Sequence, residues 1–359
     1  MTQAVQTTAD VRLANPDHFL TVFLDHLETH AHVKRQSGGA DITSEYGHVR
    51  LRRCPAGLSI EATAPTASEL SVIRTFIADH LFEFAADAQI EWSGQGSTDT
   101  VPANFQEVFV QRVEAVTPRM RRVVFRASRL STLLNWSHHH VRLLFPPEGR
   151  VPHWPRQSTS GRLNWPGGDD VLSSRVYTIR WVDERTSTFA VDFVMHHETA
   201  SGPGVAFAHR ARPGATVGLV GPGGGGTPTG KKLLLLGDET ALPAIARIVE
   251  SVAGQATIQA VVEVNDITET AYLSPAPSLQ VNWLPRNGRP AGDPTMFLAA
   301  LENHVKDKPQ HLTVWAGCEH GVAAELRARL SARLLDNIKT SITAYWKRST
   351  TNVVESVHQ

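Results

Sequence analysis

Arg175-Val176-Tyr177-Thr178-Ile179-Arg180 brings an aromatic ring, a hydroxyl and two guanidinium groups into one short run. The run alternates, so it reads as a strand with Arg175, Tyr177 and Ile179 on one face and Val176, Thr178 and Arg180 on the other. A stacking ring, a local hydrogen bond and forks to phosphate suit a large planar anionic ligand. The same residues also suit an exposed strand with ordinary Arg–Tyr cross-strand pairs, and the run alone does not choose.

Further candidates lie on either side. Arg112, Arg119, Arg121, Arg122, Arg126 and Arg129 face only Glu114 over their span. They are either a solvated strand face or a basic patch that steers an anionic substrate. Gly237-Asp238-Glu239-Thr240 joins an apolar strand to a helix beginning near Ala241, with Pro243 in its first turn, and Ala316-Gly317-Cys318-Glu319 repeats the device. Such strand ends bind anions and nucleotides, and are also how α/β folds simply turn. Arg286 and Arg289 follow another strand end, where they could meet a nucleotide 2′-phosphate, although arginine in a Pro/Gly loop is usually solvated. Gly221 to Gly226, with Lys231 and Lys232 after it, lacks the spacing of a phosphate loop and reads as a hinge. His138-His139-His140 opens a strand; three adjacent strand residues cannot converge on one ion, so they read as a polar strand edge. His26 and His30 share a helix face near His32 and His80, but no carboxylate or thiol is seen to complete a set, and no metal site is expected.

The elements that must hold these groups fall into three blocks. At 359 residues, 41% apolar and 19% charged, the chain has the composition of a globular protein with two or three domains. Its 35 basic and 35 acidic residues cancel, so nothing global attracts nucleic acid. Cys54 and Cys318 form neither a disulfide framework nor a zinc spacing. The first residues lack a secretory pattern, and no apolar run is long enough to cross a bilayer. A cytoplasmic monomer without membrane association is expected.

Residues 1–95 read as a small α+β domain, with helices from Pro16 to about His32 and from Ala67 to Phe84, a hairpin turning at Pro55-Ala56-Gly57, and a strand from Ala88 to Trp92. Ser93 to Thr100 is a linker. Residues 101–226 carry short strands separated by Pro/Gly turns, an antiparallel barrel or sandwich. Residues 230–350 alternate strand and helix, which means a parallel sheet with ligands at the carboxyl ends of its strands.

Six stretches, taken in order, resemble the ferredoxin-reductase-like flavoenzymes, and within them the siderophore-interacting proteins, the ferric-siderophore reductases. They are Thr117 to Phe125, Arg175 to Arg180, Asp192 to His196, Gly202-Pro203, Gly237 to Ile245 and Ala344 to Trp346. The first domain resembles a small uncharacterised domain, through His30-Ala31-His32-Val33-Lys34 and His80-Leu81-Phe82-Glu83-Phe84. That second resemblance implies no activity.

The first resemblance implies an FAD-binding β-barrel and an NAD(P)-binding α/β domain. It would set Tyr177 against the flavin ring, Thr178 at its redox edge and Arg175 on its phosphate or ring. Arg180 would complete the strand motif. Asp192 and His196 would lie near ribose and adenine, and Gly202, Pro203, Gly204 and Val205 would form the pyrophosphate turn. Gly237, Asp238, Glu239, Thr240, Ala241, Cys318 and Glu319 would border the nicotinamide of NADPH or NADH. Arg119, Arg121, Arg122, Lys347 and Arg348 would meet the ferric siderophore, with no residue acting as a catalytic acid or base. Three departures stand out: the pyrophosphate turn has Val205 where the family has a hydroxyl and Phe207 where it has Trp, Cys318 stands where the family has Gly, and Tyr345-Trp346-Lys347-Arg348-Ser349 stands where it often has Tyr-Trp-Arg followed by Gly. The implied function is NAD(P)H-dependent ferric-siderophore reduction through FAD, releasing Fe(II). The alternatives are a less specific NAD(P)H–flavin reductase and a non-catalytic siderophore-binding protein.

Overall fold

The computed structural model describes residues 4–28, 31–98, 100–134, 138–195, 202–306, 311–332 and 338–348. The chain divides into two compact units, residues 1–106 with 146–172, and residues 107–145 with 173–359.

The first unit is a six-stranded sheet covered by two helices. Its elements are β1 (Val5–Arg12), α1 (Pro16–Leu27), β2 (His32–Gln36), β3 (Gly39–Ser44), β4 (Gly47–Cys54), β5 (Gly57–Ala64), α2 (Ala67–Phe84) and β6 (Gln89–Gly94), in the sheet order β2-β3-β4-β5-β1-β6. The α1 start is fixed locally: the Asn15 side chain accepts from the His18 N–H, Pro16 follows, and Asp17 sits in the first turn. Phe19, Leu20, Phe23, Leu24 and Leu27 then form its buried stripe. Thr66 caps α2 by accepting from the Glu69 N–H at 3.3 Å. The helix expected to run to His32 stops at Leu27, because the chain turns there into a hairpin. β1 escapes the sequence reading because only Thr7, Ala9 and Val11 are buried on it, a weak apolar signal.

The chain then enters a barrel through β7 (Phe105–Thr117), β8 (Met120–Ala127) and β9 (His140–Phe145). Residues 146–172, with the short pair β10 (Arg156–Gln157) and β11 (Leu163–Asn164), belong to the first unit. There the Trp92 indole donates to Ser160 O at 2.8 Å, and the Gln157 amide donates to Thr75 Oγ1 at 3.2 Å. The barrel resumes with β12 (Ser173–Asp183), β13 (Thr188–Val194), α3 (Pro203–Arg210) and β14 (Thr216–Gly223), and closes in the order β12-β13-β8-β7-β14-β9. Phe125, Phe189 and Phe193 are fully buried inside it, each stabilising by roughly 2–3 kcal/mol.

The last block is a five-stranded parallel sheet built from β15 (Lys232–Gly237), α4 (Leu242–Ser251), β16 (Thr257–Val264), β17 (Leu279–Pro285), α5 (Pro294–Val305), β18 (Leu312–Glu319), α6 (His320–Ala332) and β19 (Lys339–Trp346). Leu233 and Leu235 face one apolar cluster and Leu234 and Leu236 the other, so the continuous run is buried on both faces. The strand order is β17-β16-β15-β18-β19. The chain winds outward from β15 in one direction, then restarts at β18 in the other. That reversal opens a crevice at the carboxyl ends of β15 and β18.

Candidate functional site

The β12 run alternates as its sequence requires. Ile179 and Tyr177 belong to the barrel core cluster, where Tyr177 meets Phe193 with ring centroids 4.3 Å apart. The Arg175 guanidinium donates to Ser174 O at 2.8 Å. On the other face, Arg180 donates to both carboxylate oxygens of Glu250 on α4, at 2.8 and 2.6 Å. Next to it, buried Arg247 donates to Ile179 O at 2.7 Å, at the point where β12 and β13 shift register. Two arginines of α4 and β12 therefore fix the bend of the strand.

Tyr177 lies under the start of α3. A Cβ at Gly204 would overlap the Tyr177 hydroxyl and come within 2.9 Å of its Cζ, so only glycine fits. Gly202 offers no side-chain cap and Pro203 has no N–H. Among the described residues no side chain caps this helix N-terminus, where the backbone N–H groups of Gly204 and Val205 stand, an arrangement that receives phosphate. Phe207 joins Phe125, Phe145 and Phe193; its ring centroid is 5.0 Å from that of Phe145.

The outer face of the barrel carries groups that the sequence reading did not assign. His140 pairs in register with Thr178, and Arg142 with Val176. His140 Nε2 lies 2.9 Å from the Tyr345 hydroxyl, and Thr178 also hydrogen-bonds that hydroxyl. Burial pulls the His140 pKa down to about 4. His138 and His139 are likewise buried, with His139 Nε2 3.2 Å from the Thr227 hydroxyl, so this run is interior rather than a polar strand edge. Arg142 donates to Ser174 Oγ at 3.3 Å, and among the described residues no carboxylate pairs with it. Desolvation lowers its pKa. The sequence signal was present: a lone arginine between the apolar residues Val141 and Leu143 of a strand.

At the crevice, Gly237 ends β15 in close contact; a Cβ there would meet Ala241 Cβ at 2.5 Å and Gly317 O at 3.1 Å. Asp238 accepts from the Thr240 N–H at 2.9 Å and from the Trp346 indole at 2.7 Å. Burial, which outweighs these bonds, pushes its pKa up to about 6. Thr240 donates its hydroxyl to the same carboxylate, and Ala241 is buried. Cys318 is buried among apolar side chains, which pushes its thiol pKa well up.

Several assigned residues are engaged by the protein itself. Arg122 holds Asp192 through two bonds of 2.7 Å, and the Tyr272 hydroxyl donates to the same carboxylate. Asp192 and Arg122 thus form a buried pair, with Asp192 fully enclosed and the Arg122 side chain 17% exposed. Glu239 receives both arms of Arg286, at 2.8 and 2.5 Å, and Arg286 also reaches Glu263 at 3.0 Å. Arg286 is therefore interior rather than solvated. Glu319 accepts from the Gly321 and Val322 N–H groups at the start of α6 and from the Arg348 N–H at 3.1 Å. Arg119 uses its backbone N–H on Glu269 at 3.0 Å, while Arg121 is half-buried on β8. Lys347 is exposed, and the Arg348 guanidinium donates to Ala291 O. His196 lies outside the described residues.

An antiparallel barrel followed by a doubly wound parallel sheet, with a glycine-bounded helix start beside a strand tyrosine, defines a ferredoxin-reductase-like flavoprotein fold. Residues 109–226 match the siderophore-interacting FAD-binding domain, residues 230–349 the siderophore-interacting protein domain, and residues 8–93 an uncharacterized domain conserved in bacteria. The chain belongs to the siderophore-interacting proteins. A siderophore utilization protein from T. fusca is 31% identical; the match covers 71% of this chain and 97% of that one, with a TM-score of 0.56. The ferric vibriobactin reductase of Vibrio cholerae is 28% identical over 58% of this chain and 76% of its own length. An uncharacterized protein of Mycobacterium tuberculosis is 30% identical over 66% of this chain and 88% of its own. The siderophore-interacting protein of Aeromonas hydrophila, at 23% identity over 69% of this chain and 93% of that one, shares the fold with a TM-score of 0.53.

Proposed function

We propose that this protein is an FAD-dependent ferric-siderophore reductase that takes reducing equivalents from NADPH or NADH and releases Fe(II). The observation that carries this reading is the α3 start, where Gly204 is pressed against the Tyr177 hydroxyl and, among the described residues, no side chain caps the helix. The residues present fit the cofactor. Tyr177 offers the ring contact, Thr178 a hydroxyl, the Gly204 and Val205 N–H groups a pyrophosphate seat, and Arg175 and Arg142 the cations. Bound flavin supplies the change from a two-electron hydride donor to one-electron delivery.

The rest is the work of this chain. His140 holds the Tyr345 hydroxyl, and with it the ring, at the outer face of the barrel beside Thr178. The crevice at Gly237 and Asp238 receives the nicotinamide side, because it lies at the carboxyl ends of β15 and β18, where the strand order reverses. Arg121, Lys347 and Arg348 offer positive charge to an anionic ferric chelate, and Arg142 adds a half-buried guanidinium that has no carboxylate partner among the described residues. Iron arrives as chelated Fe(III) and leaves as Fe(II), a substrate and a product, so this site needs no iron ligands. The reducing chemistry and the two free cysteines suit a cytoplasmic protein, acting as a monomer.

The test begins with colour. Protein reconstituted with FAD is expected to be yellow, to bleach anaerobically with NADPH or NADH, and to regain colour on addition of a ferric siderophore while a ferrous chelator traps iron. Bleaching that is reversed by free flavins as readily as by ferric chelates selects the general flavin reductase. Protein that FAD cannot colour, yet that binds ferric siderophore, selects the carrier and ends the enzyme reading.

A further inference from the structure

The first unit holds chemistry that the flavin reading does not use. Where α1 packs on α2, one ligand atom each from His26, His80 and Glu83 lies within 4.8 Å of the other two. His80 and Glu83 are three residues apart on α2 and so project from one face; His26 comes from the last turn of α1. The two imidazole rings are 5.0 Å apart, beside Phe84 and Phe76. His80 Nδ1 is 2.8 Å from Phe76 O. A carbonyl only accepts, so this nitrogen carries the proton and Nε2 carries the lone pair. Metal-binding imidazoles are commonly oriented by such a bond.

We propose that His26, His80 and Glu83 form a binding site for a divalent transition metal, with solvent filling the remaining positions. Ligands of such an ion sit about 3–3.5 Å apart, so small side-chain rotations complete the set. Two imidazoles and one carboxylate select Zn²⁺ or Fe²⁺ over Ca²⁺ or Mg²⁺, which prefer all-oxygen ligands. The half-buried histidines limit competition by water, and the exposed Glu83 leaves an entry path. The spacing of His80 and Glu83 puts them on one face of α2, and His26 joins them only when α1 lies against α2. The proposal is independent of the flavin site, since all three ligands lie in the first unit.

The experiment titrates Zn²⁺ alone into the full-length, metal-free protein by calorimetry, with thermal unfolding alongside. One equivalent is expected to bind and to raise the unfolding temperature. His26→Gln and His80→Gln are each expected to weaken that binding at least tenfold, and Glu83→Gln several-fold. His18→Gln, an exposed residue in the first turn of α1, is expected to change nothing. With Co²⁺ as a second probe, the wild type is expected to show visible d–d bands that His80→Gln lacks. Equal affinity in the wild type and in a His26→Gln/His80→Gln variant overturns the proposal, as does an equal loss in His18→Gln. If the histidine variants unfold, the exposed Glu83→Gln decides alone, and unchanged affinity there overturns the site.

Discussion

His140 Nε2 lies 2.9 Å from the hydroxyl of Tyr345, a residue 205 positions away, and the bond joins barrel strand β9 to the last strand of the parallel sheet. His140 Nδ1 faces Gly224 O at 3.4 Å, so Nδ1 carries the proton and Nε2 accepts from Tyr345. The hydroxyl in turn accepts from Thr178. Tyr345→Phe is therefore expected to leave a buried acceptor without its donor, at about 1–3 kcal/mol of stability, and to weaken FAD binding by freeing Thr178. Urea unfolding and a flavin titration read the two effects; an unchanged midpoint removes the role given to this bond.

Two buried groups near this bond oppose each other in pH. The His140 pKa falls in the folded protein from 6.5 to about 4, so its contribution is complete above 6.5 and is lost as pH falls toward 4. The Asp238 pKa rises from 3.8 to about 6, so its contribution is complete below 3.8 and is lost as pH rises through 6. Across pH 4 to 6 the two slopes largely cancel. In Asp238→Asn the histidine slope is no longer offset by Asp238, and the His140 contribution is expected to drop by roughly 2–3 kcal/mol on acidification from 6.5 to 4. Urea midpoints measured across that range decide it; wild-type and variant curves of the same shape contradict the assignment.

The fit of Gly204 against Tyr177 gives a paired test. Gly204→Ala is expected to lower FAD affinity at least tenfold, about 1.4 kcal/mol, by pushing the ring aside. Tyr177→Phe removes the overlapping oxygen, so the double variant is expected to lose less than the sum of the two single losses. Strict additivity would show that the two residues act separately.

Val205 tests the pyrophosphate seat. Val205→Ser puts a hydroxyl at the α3 start, where it can donate to a phosphate oxygen, and one added hydrogen bond contributes about 1 kcal/mol. FAD is expected to bind about fivefold tighter. A weaker or unaltered affinity would place the pyrophosphate elsewhere.

Arg142 and Arg122 separate ligand charge from structural charge. Arg142→Gln removes a half-buried cation that has no carboxylate partner among the described residues. Its unfolding temperature is expected to hold, while affinity for FAD or for an anionic ferric chelate falls at least tenfold and loses part of its salt dependence. Arg122→Gln strips the buried Asp192 of its partner and is expected to cost about 3–5 kcal/mol. Reversed outcomes, with Arg142→Gln unfolding and Arg122→Gln losing only affinity, would exchange the two roles.

The sequence by itself determined what depends on local pattern. Alternation placed Tyr177 and Thr178 on opposite faces of β12, the Leu233 to Leu236 run demanded a strand buried on both sides, and Pro55-Ala56-Gly57 turned a hairpin. Most parallel-sheet strands and helices were legible because each repeats one period between clear breaks. β1 was not, since its buried positions are small or polar. Partner choice was the part that only the tertiary structure decided. Nothing local shows that Arg122 and Tyr272 meet at Asp192, Arg286 reads as solvated until Glu239 and Glu263 enclose it, and His140 reads as a strand edge until Tyr345 arrives. Each pairing joins residues between 23 and 205 positions apart. Periodicity fixes which way a side chain points, but the burial and charge that meet it come from strands and helices distant in sequence.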